Sequence, residues 1–145
     1  MREVTKSALV PYTPAQMFAL VNDIERYPQF VPWVDGAREL ERTQDFVVGR
    51  LEMHRAGLRE RFTTRNTLVP PHEIHMALVE GPFRALEGRW SFDAIGERGT
   101  RVGLWMRFEF SNAMLSLLLS RSFEKNCGEL VDAFVARARA VYGVT

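Results

Sequence analysis

Residues 112–142 read NAMLSLLLSRSFEKNCGELVDAFVARARAVY, and this stretch decides the fold. It holds no proline and one glycine, Gly128. Apolar residues recur at Leu115, Leu119, Phe123, Cys127, Leu130, Phe134 and Ala138, the spacing of one helical face. Arg121, Lys125, Glu129, Asp132 and Arg139 take the opposite face. Ser111 stands where an N-cap is needed. About 30 residues at roughly 1.5 Å each make a helix about 45 Å long, against a radius of gyration of about 15 Å for a domain of this size. Such a helix crosses the whole body and must pack along what precedes it.

What precedes it is strand-like. Residues 4–10 read as a first strand. Thr13-Pro14-Ala15-Gln16 then carries the marks of a helix start, with a capping Thr, a Pro at the first position and a Gln to close the box. A second short helix or turn spans 24–30, limited by Pro28 and Pro32. Strands follow at 37–41, 46–54, 58–68, 72–79, 86–95 and 101–110. Between them lie Thr43-Gln44-Asp45, Gly57, Pro70-Pro71, Gly81-Pro82 and the turn 96–99. The order predicts an α+β fold in one domain, 1–145, with two short helices after the first strand. A curved antiparallel sheet of about seven strands, curling as it twists, would wrap the long helix.

The concave face of that sheet takes alternate residues. Leu86, Gly88, Trp90 and Phe92 share one side of the sixth strand, and Val102, Leu104, Met106, Phe108 and Phe110 one side of the seventh. Leu58 and Phe62 share a side of the fourth with Glu60 and Thr64. Phe30 and Trp33 lie in the proline-rich segment, and Phe83 in a Gly-Pro loop. From the helix come Leu115, Leu119 and Phe134. Large apolar groups with few polar ones fit a ligand pocket, and the same stripes would also serve a solid core.

Composition narrows the functions. Hydrophobic residues are 46% and charged residues 26%, enough for a buried core and a solvated surface. Nineteen basic and 18 acidic residues leave a net charge of +1, so nothing draws the chain as a whole to nucleic acid, and no DNA partner is expected. Cys127 is the one cysteine, which excludes an intrachain disulfide and suits a reducing compartment. Residues 1–10 lack a signal peptide's apolar core, and the longest apolar run, 113–119, is far short of the roughly 20 residues of a membrane span. The expected location is cytoplasmic, with at most peripheral contact with the inner membrane.

Catalytic and metal motifs find little support. His72 and His75 are three apart on a strand and face opposite sides, so they cannot share a metal. His54 has no acidic cluster near it in sequence. Gly96, Gly99 and Gly103 join two strands, where a phosphate loop requires a following helix. Cys127 falls mid-helix on the apolar face, as a structural thiol does. Glu60 and Arg65 are the candidate polar groups of the pocket, and Glu60, between Arg59 and Arg61, reads more readily as a solvated edge charge. Arg89, Arg101 and Arg107 fall on the convex face, among Glu87, Glu97 and Glu109. No catalytic residue, metal ligand or required cofactor is assigned.

Four segments resemble a known family. They are Tyr27-Pro28-Gln29-Phe30-Val31-Pro32-Trp33, then Phe62-Thr63-Thr64-Arg65-Asn66, then Glu80-Gly81-Pro82-Phe83 with Leu86, Gly88, Trp90 and Phe92, and Ala133-Phe134-Val135-Ala136-Arg137-Ala138. Together they are similar to the coenzyme Q-binding and ribosome association toxin (RatA) family of the START-like, polyketide cyclase/dehydrase superfamily. The resemblance implies the helix-grip fold. It implies non-catalytic binding of ubiquinone or a related polyprenyl lipid, in support of respiration or quinone biosynthesis. It also implies two alternatives: a toxin-like module acting on the large ribosomal subunit, and a polyketide cyclase or dehydratase. Val34 stands where many members carry Cys, and Val31 where they carry Leu, so the segment stays apolar but lacks a thiol. Leu117 and Leu118 form an apolar edge that could touch lipid.

Overall fold

The computed structural model describes all residues except Ala56, Val144 and Thr145, and all described side chains except those of Arg55 and Leu58. Seven strands form one antiparallel sheet: β1 (Arg2–Val10), β2 (Val34–Arg42), β3 (Phe46–Arg55), β4 (Leu58–Val69), β5 (Glu73–Glu80), β6 (Phe83–Ile95) and β7 (Gly99–Phe110). Their order is β1-β7-β6-β5-β4-β3-β2, so β2 to β7 run as a meander and β1 closes on β7. Helix α1 (Pro14–Asn22) and a 3-10 helix (Ile24–Gln29) connect β1 to β2, and α2 (Ala113–Tyr142) ends the fold. This is the helix-grip arrangement.

Local chemistry accounts for the boundaries. The capping box of α1 is complete: Thr13 Oγ1 accepts from the Gln16 N–H at 3.2 Å, and Gln16 Oε1 accepts from the Thr13 N–H at 2.9 Å. The N-cap of α2 is Asn112, whose Oδ1 accepts from the Leu115 N–H at 2.9 Å, and not Ser111. Ser111 donates its N–H to the Pro82 carbonyl at 2.9 Å, which holds it to the β5–β6 turn and delays the helix by one residue. The same bond draws Phe83 out of the expected loop, to become the first residue of β6 opposite Phe110. Gly96 sits at φ +64° in the β6–β7 turn, where a side chain would be strained.

The core lies between the concave face and α2. Along β7, Val102, Leu104, Met106, Phe108 and Phe110 are all buried, and along β6 so are Leu86, Trp90 and Phe92. From α2, Leu119, Phe123, Cys127, Val131, Phe134 and Ala138 meet them. Helix α2 lies against β1 and β7, while α1 covers β6. The concave surface of β3, β4 and β5 is thus the part of the sheet least covered by helix.

Candidate functional site

A cavity of about 60 Å³ lies over that less-covered half of the sheet. Its floor is Gly49, Leu51, Phe62, Thr64, Asn66, Met76, Trp90, Leu104 and Met106. Phe123, Cys127 and Leu130 of α2 form the roof, and Ile24, Tyr27 and Trp33 one wall. Glycines let neighbouring side chains lie flat on the sheet, Met106 and Met76 over Gly88 and Ile24 over Gly49. A Cβ at Gly88, beside the lining, would stand 2.3 Å from Met106 Sδ and 3.0 Å from the Trp105 carbonyl oxygen.

Two aromatic clusters brace the ends. At one, Phe123 meets Phe108 at 4.7 Å and Phe83 at 5.2 Å, and Phe83 stacks on Phe110 at 4.6 Å. At the other, Phe134 meets Tyr27 and Phe30 at 5.2 Å each and Trp90 at 5.3 Å. Phe123 and Phe134 are separated by about 16 Å of helix. The span between them is lined by Leu51, Met76, Leu104, Met106 and Leu130, which are softer groups. Unbranched Met side chains re-pack readily, so this middle section can change shape.

The cavity is almost wholly apolar. Thr64 is buried, and its Oγ1 donates to Asn66 Oδ1 at 2.7 Å, two residues along the same face of β4. The Tyr27 hydroxyl is engaged elsewhere, donating to the Val21 carbonyl at 2.5 Å. Burial pushes the Cys127 thiol up to about 12, with Glu124 adding to it, and raises the Tyr27 phenol well above its ordinary value. Both therefore stay neutral at physiological pH.

Five of the residues expected from the sequence line the cavity: Trp33, Phe62, Trp90, Leu104 and Met106. Leu119 lines a small groove beside it, with Met53, His54, Glu60, Phe110, Ser122, Phe123 and Asn126. Phe30, Phe83, Phe108 and Phe134 belong to the bracing clusters, and Phe92 packs on Phe18 of α1 at 5.8 Å. Leu115 is half-buried near the start of α2, away from the cavity. The side chain of Leu58 lies outside the described residues. Sequence reasoning passed over Ile24, Tyr27, Gly49, Leu51, Asn66, Met76, Phe123, Cys127 and Leu130 as pocket residues. The strand alternation that picked Phe62 would have reached Asn66, four residues on.

Other features fall into place around the site. His54 pairs with Asp35 at 2.6 Å, a partner that its own sequence neighbourhood does not show. His75 Nε2 lies 2.6 Å from Glu73 Oε1. Among the described residues no group of three His, Cys, Asp or Glu side chains is placed to hold a metal ion. Among them, too, no helix is long and apolar enough to cross a membrane.

A seven-stranded sheet gripping a long helix around an apolar cavity defines a START-like protein. The chain belongs to the polyketide cyclase / dehydrase and lipid transport family, whose model matches residues 10–135. It is 41% identical to the ribosome association toxin RatA of Vibrio cholerae over 143 residues, covering 99% of each chain. It is 27% identical to the mitochondrial coenzyme Q-binding protein COQ10 homolog B of Xenopus laevis, spanning 97% of this chain and 59% of that one. Its backbone is similar to the Zhui aromatase/cyclase from Streptomyces sp. R1128, with a TM-score of 0.88 at 21% identity over 99% of both chains. At that identity the last likeness bears on the fold alone.

Proposed function

We propose that this protein binds an isoprenoid quinone or a related polyprenyl lipid in the cavity between sheet and α2, without catalysing a reaction on it. The observation that carries the reading is the cavity itself: apolar on nearly every side, roofed by α2, and placed where helix covers the sheet least. The likeness to a coenzyme Q-binding protein supports it. A non-catalytic role is supported by the chemistry of the lining, since burial holds both Cys127 and Tyr27 neutral. Glu60 lines the neighbouring groove instead of the cavity.

At about 60 Å³ the cavity admits a few water molecules, against roughly 300 Å³ for the smaller ligand pockets. A ring-bearing ligand therefore enters only as Met76, Met106 and Leu130 move aside. Each buried CH₂ of its tail contributes roughly 0.8 kcal/mol, which offsets that rearrangement. The rest of a long tail stays outside. Met114, Leu117 and Leu118 are 71%, 86% and 52% exposed, and with Arg121 they follow helical spacing on one face of α2. That stripe suits peripheral contact with lipid, apolar groups among the tails and Arg121 at the phosphates. The test is mass spectrometry of lipids extracted from the purified protein, with titration of short-chain ubiquinone. Co-purified quinone and saturable binding are expected; neither appearing would overturn the reading.

A second reading, association with the large ribosomal subunit, has its own support. The relatives at 41% identity carry the ribosome association name. On the convex face Arg38 stands directly opposite Arg50 across β2 and β3, whereas on the neighbouring β4 Arg61 faces Glu52 and Arg65 lies over the Phe46 ring at 3.8 Å. Like charges so opposed are unfavourable unless an anion meets them, and RNA phosphates would. By contrast Arg107 is neutralised by Glu87 at 2.9 Å. Co-sedimentation with the large subunit in a sucrose gradient is expected on this reading, and protein remaining at the top at low salt contradicts it.

A further inference from the structure

We infer that Thr64 and Asn66 form the polar anchor of the cavity, and that they select ligands carrying a hydrogen-bond-accepting oxygen on an apolar body. The inference rests on the ligand-binding reading above and names the head-group chemistry of that same site.

Three observations carry it. First, both residues line the cavity, and Thr64 is 8% exposed. Position 64 lies opposite Gly49 of β3 and position 66 opposite Met76 of β5, so the pair sits at the centre of the less-covered half of the sheet. Second, the core alone does not account for the pair. Thr64 is buried and Asn66 half-buried, and apolar residues of similar shape would fill the floor without the cost of withdrawing polar groups from water. Third, the bond between them has a direction. The Thr64 hydroxyl donates to Asn66 Oδ1, which turns the amide oxygen toward Thr64 and leaves the NH₂ group as the donor on its other side. Among the described residues the Asn66 side chain has no other hydrogen bond.

Of the remaining lining groups, the indole N–H groups of Trp33 and Trp90 are also donors and add to the preference for an accepting oxygen. Tyr27 directs its hydroxyl to the Val21 carbonyl, and Cys127 is a weak donor held neutral on α2. The Asn66 NH₂ therefore meets an acceptor oxygen, such as a ring carbonyl or an ether. Thr64 holds the amide in the orientation that presents this donor. A ligand without an accepting oxygen leaves the Asn66 NH₂ unused.

The experiment compares two ligands and two variants by titration. The ligands are ubiquinone with two isoprene units and farnesene, an isoprenoid hydrocarbon without oxygen. Asn66→Leu keeps the volume and removes the donor. It should weaken the quinone roughly tenfold, the loss of about one hydrogen bond, and leave farnesene within about twofold. Thr64→Val should weaken the quinone by a smaller factor, about threefold, by freeing the amide to turn. Thermal melts of both variants check folding, and either variant alone carries the test if the other does not fold. Equal effects on both ligands, or none on the quinone, would overturn the anchor while leaving the cavity reading intact. Failure of the wild-type protein to bind either ligand would overturn both.

Discussion

Cys127 and Tyr27 are acids kept protonated by burial, which links stability to alkaline pH. For each, the folded state holds its proton at pH values where the unfolded chain releases it, so stability falls as pH rises through that window. For Cys127 the window opens near its ordinary value of 9.0 and extends to about 12. Tyr27 adds to it from 10.0 upward. Each group contributes a slope of up to about 1.4 kcal/mol per pH unit. Thermal melts should therefore show a flat stability from pH 7 to about 9 and a steep fall above it. The fall should begin later in Cys127→Ala. Residue identities of this kind were legible in part. Cys127 falls on the apolar face of its helix by spacing alone, so its burial could be read. Asn66 could be placed on a face but not beside Thr64's hydroxyl, because rotamers decide that. The His54–Asp35 contact joins β3 to the start of β2 and is set by sheet register, which local sequence does not encode.

At the scale of elements, α2 does two separate jobs along its length. Its C-terminal half is held by Phe134, fully buried between Tyr27, Phe30 and Trp90. Phe134→Ala should destabilise the protein by about 3–5 kcal/mol in denaturant melts. Its first turns instead expose Met114, Leu117 and Leu118. Leu117→Ser with Leu118→Ser should lower flotation with anionic vesicles several-fold and leave the melting temperature nearly unchanged, because these side chains have little packing to lose. The length and inner face of α2 were readable because a 3.6-residue period persists over its whole run. The strands were readable from alternation and turn residues. The assignment of aromatics was not: Phe30, Phe83, Phe108 and Phe134 face inward yet sit in the clusters that brace the space, and Phe92 packs on Phe18 of α1. Alternation reports which side a residue faces, and neighbours from distant strands decide what it meets there.

At the scale of the whole molecule, the central claim is that an apolar ligand sits on the concave side of the sheet, under α2. The three tryptophans are placed to test it. Trp33 and Trp90 line the cavity, whereas Trp105 alternates onto the convex face, where its Nε1–H donates to Glu3 Oε1 at 2.7 Å. A quinone quenches indole fluorescence at close range, so position can be read from which tryptophan responds. The measurement is titration of short-chain ubiquinone into two variants, Trp105→Phe, which keeps only the cavity tryptophans, and Trp33→Phe with Trp90→Phe, which keeps only the convex one. The account predicts saturable quenching in the first and only weak, non-saturating quenching in the second. Saturable quenching of Trp105, or none of Trp33 and Trp90, would contradict it.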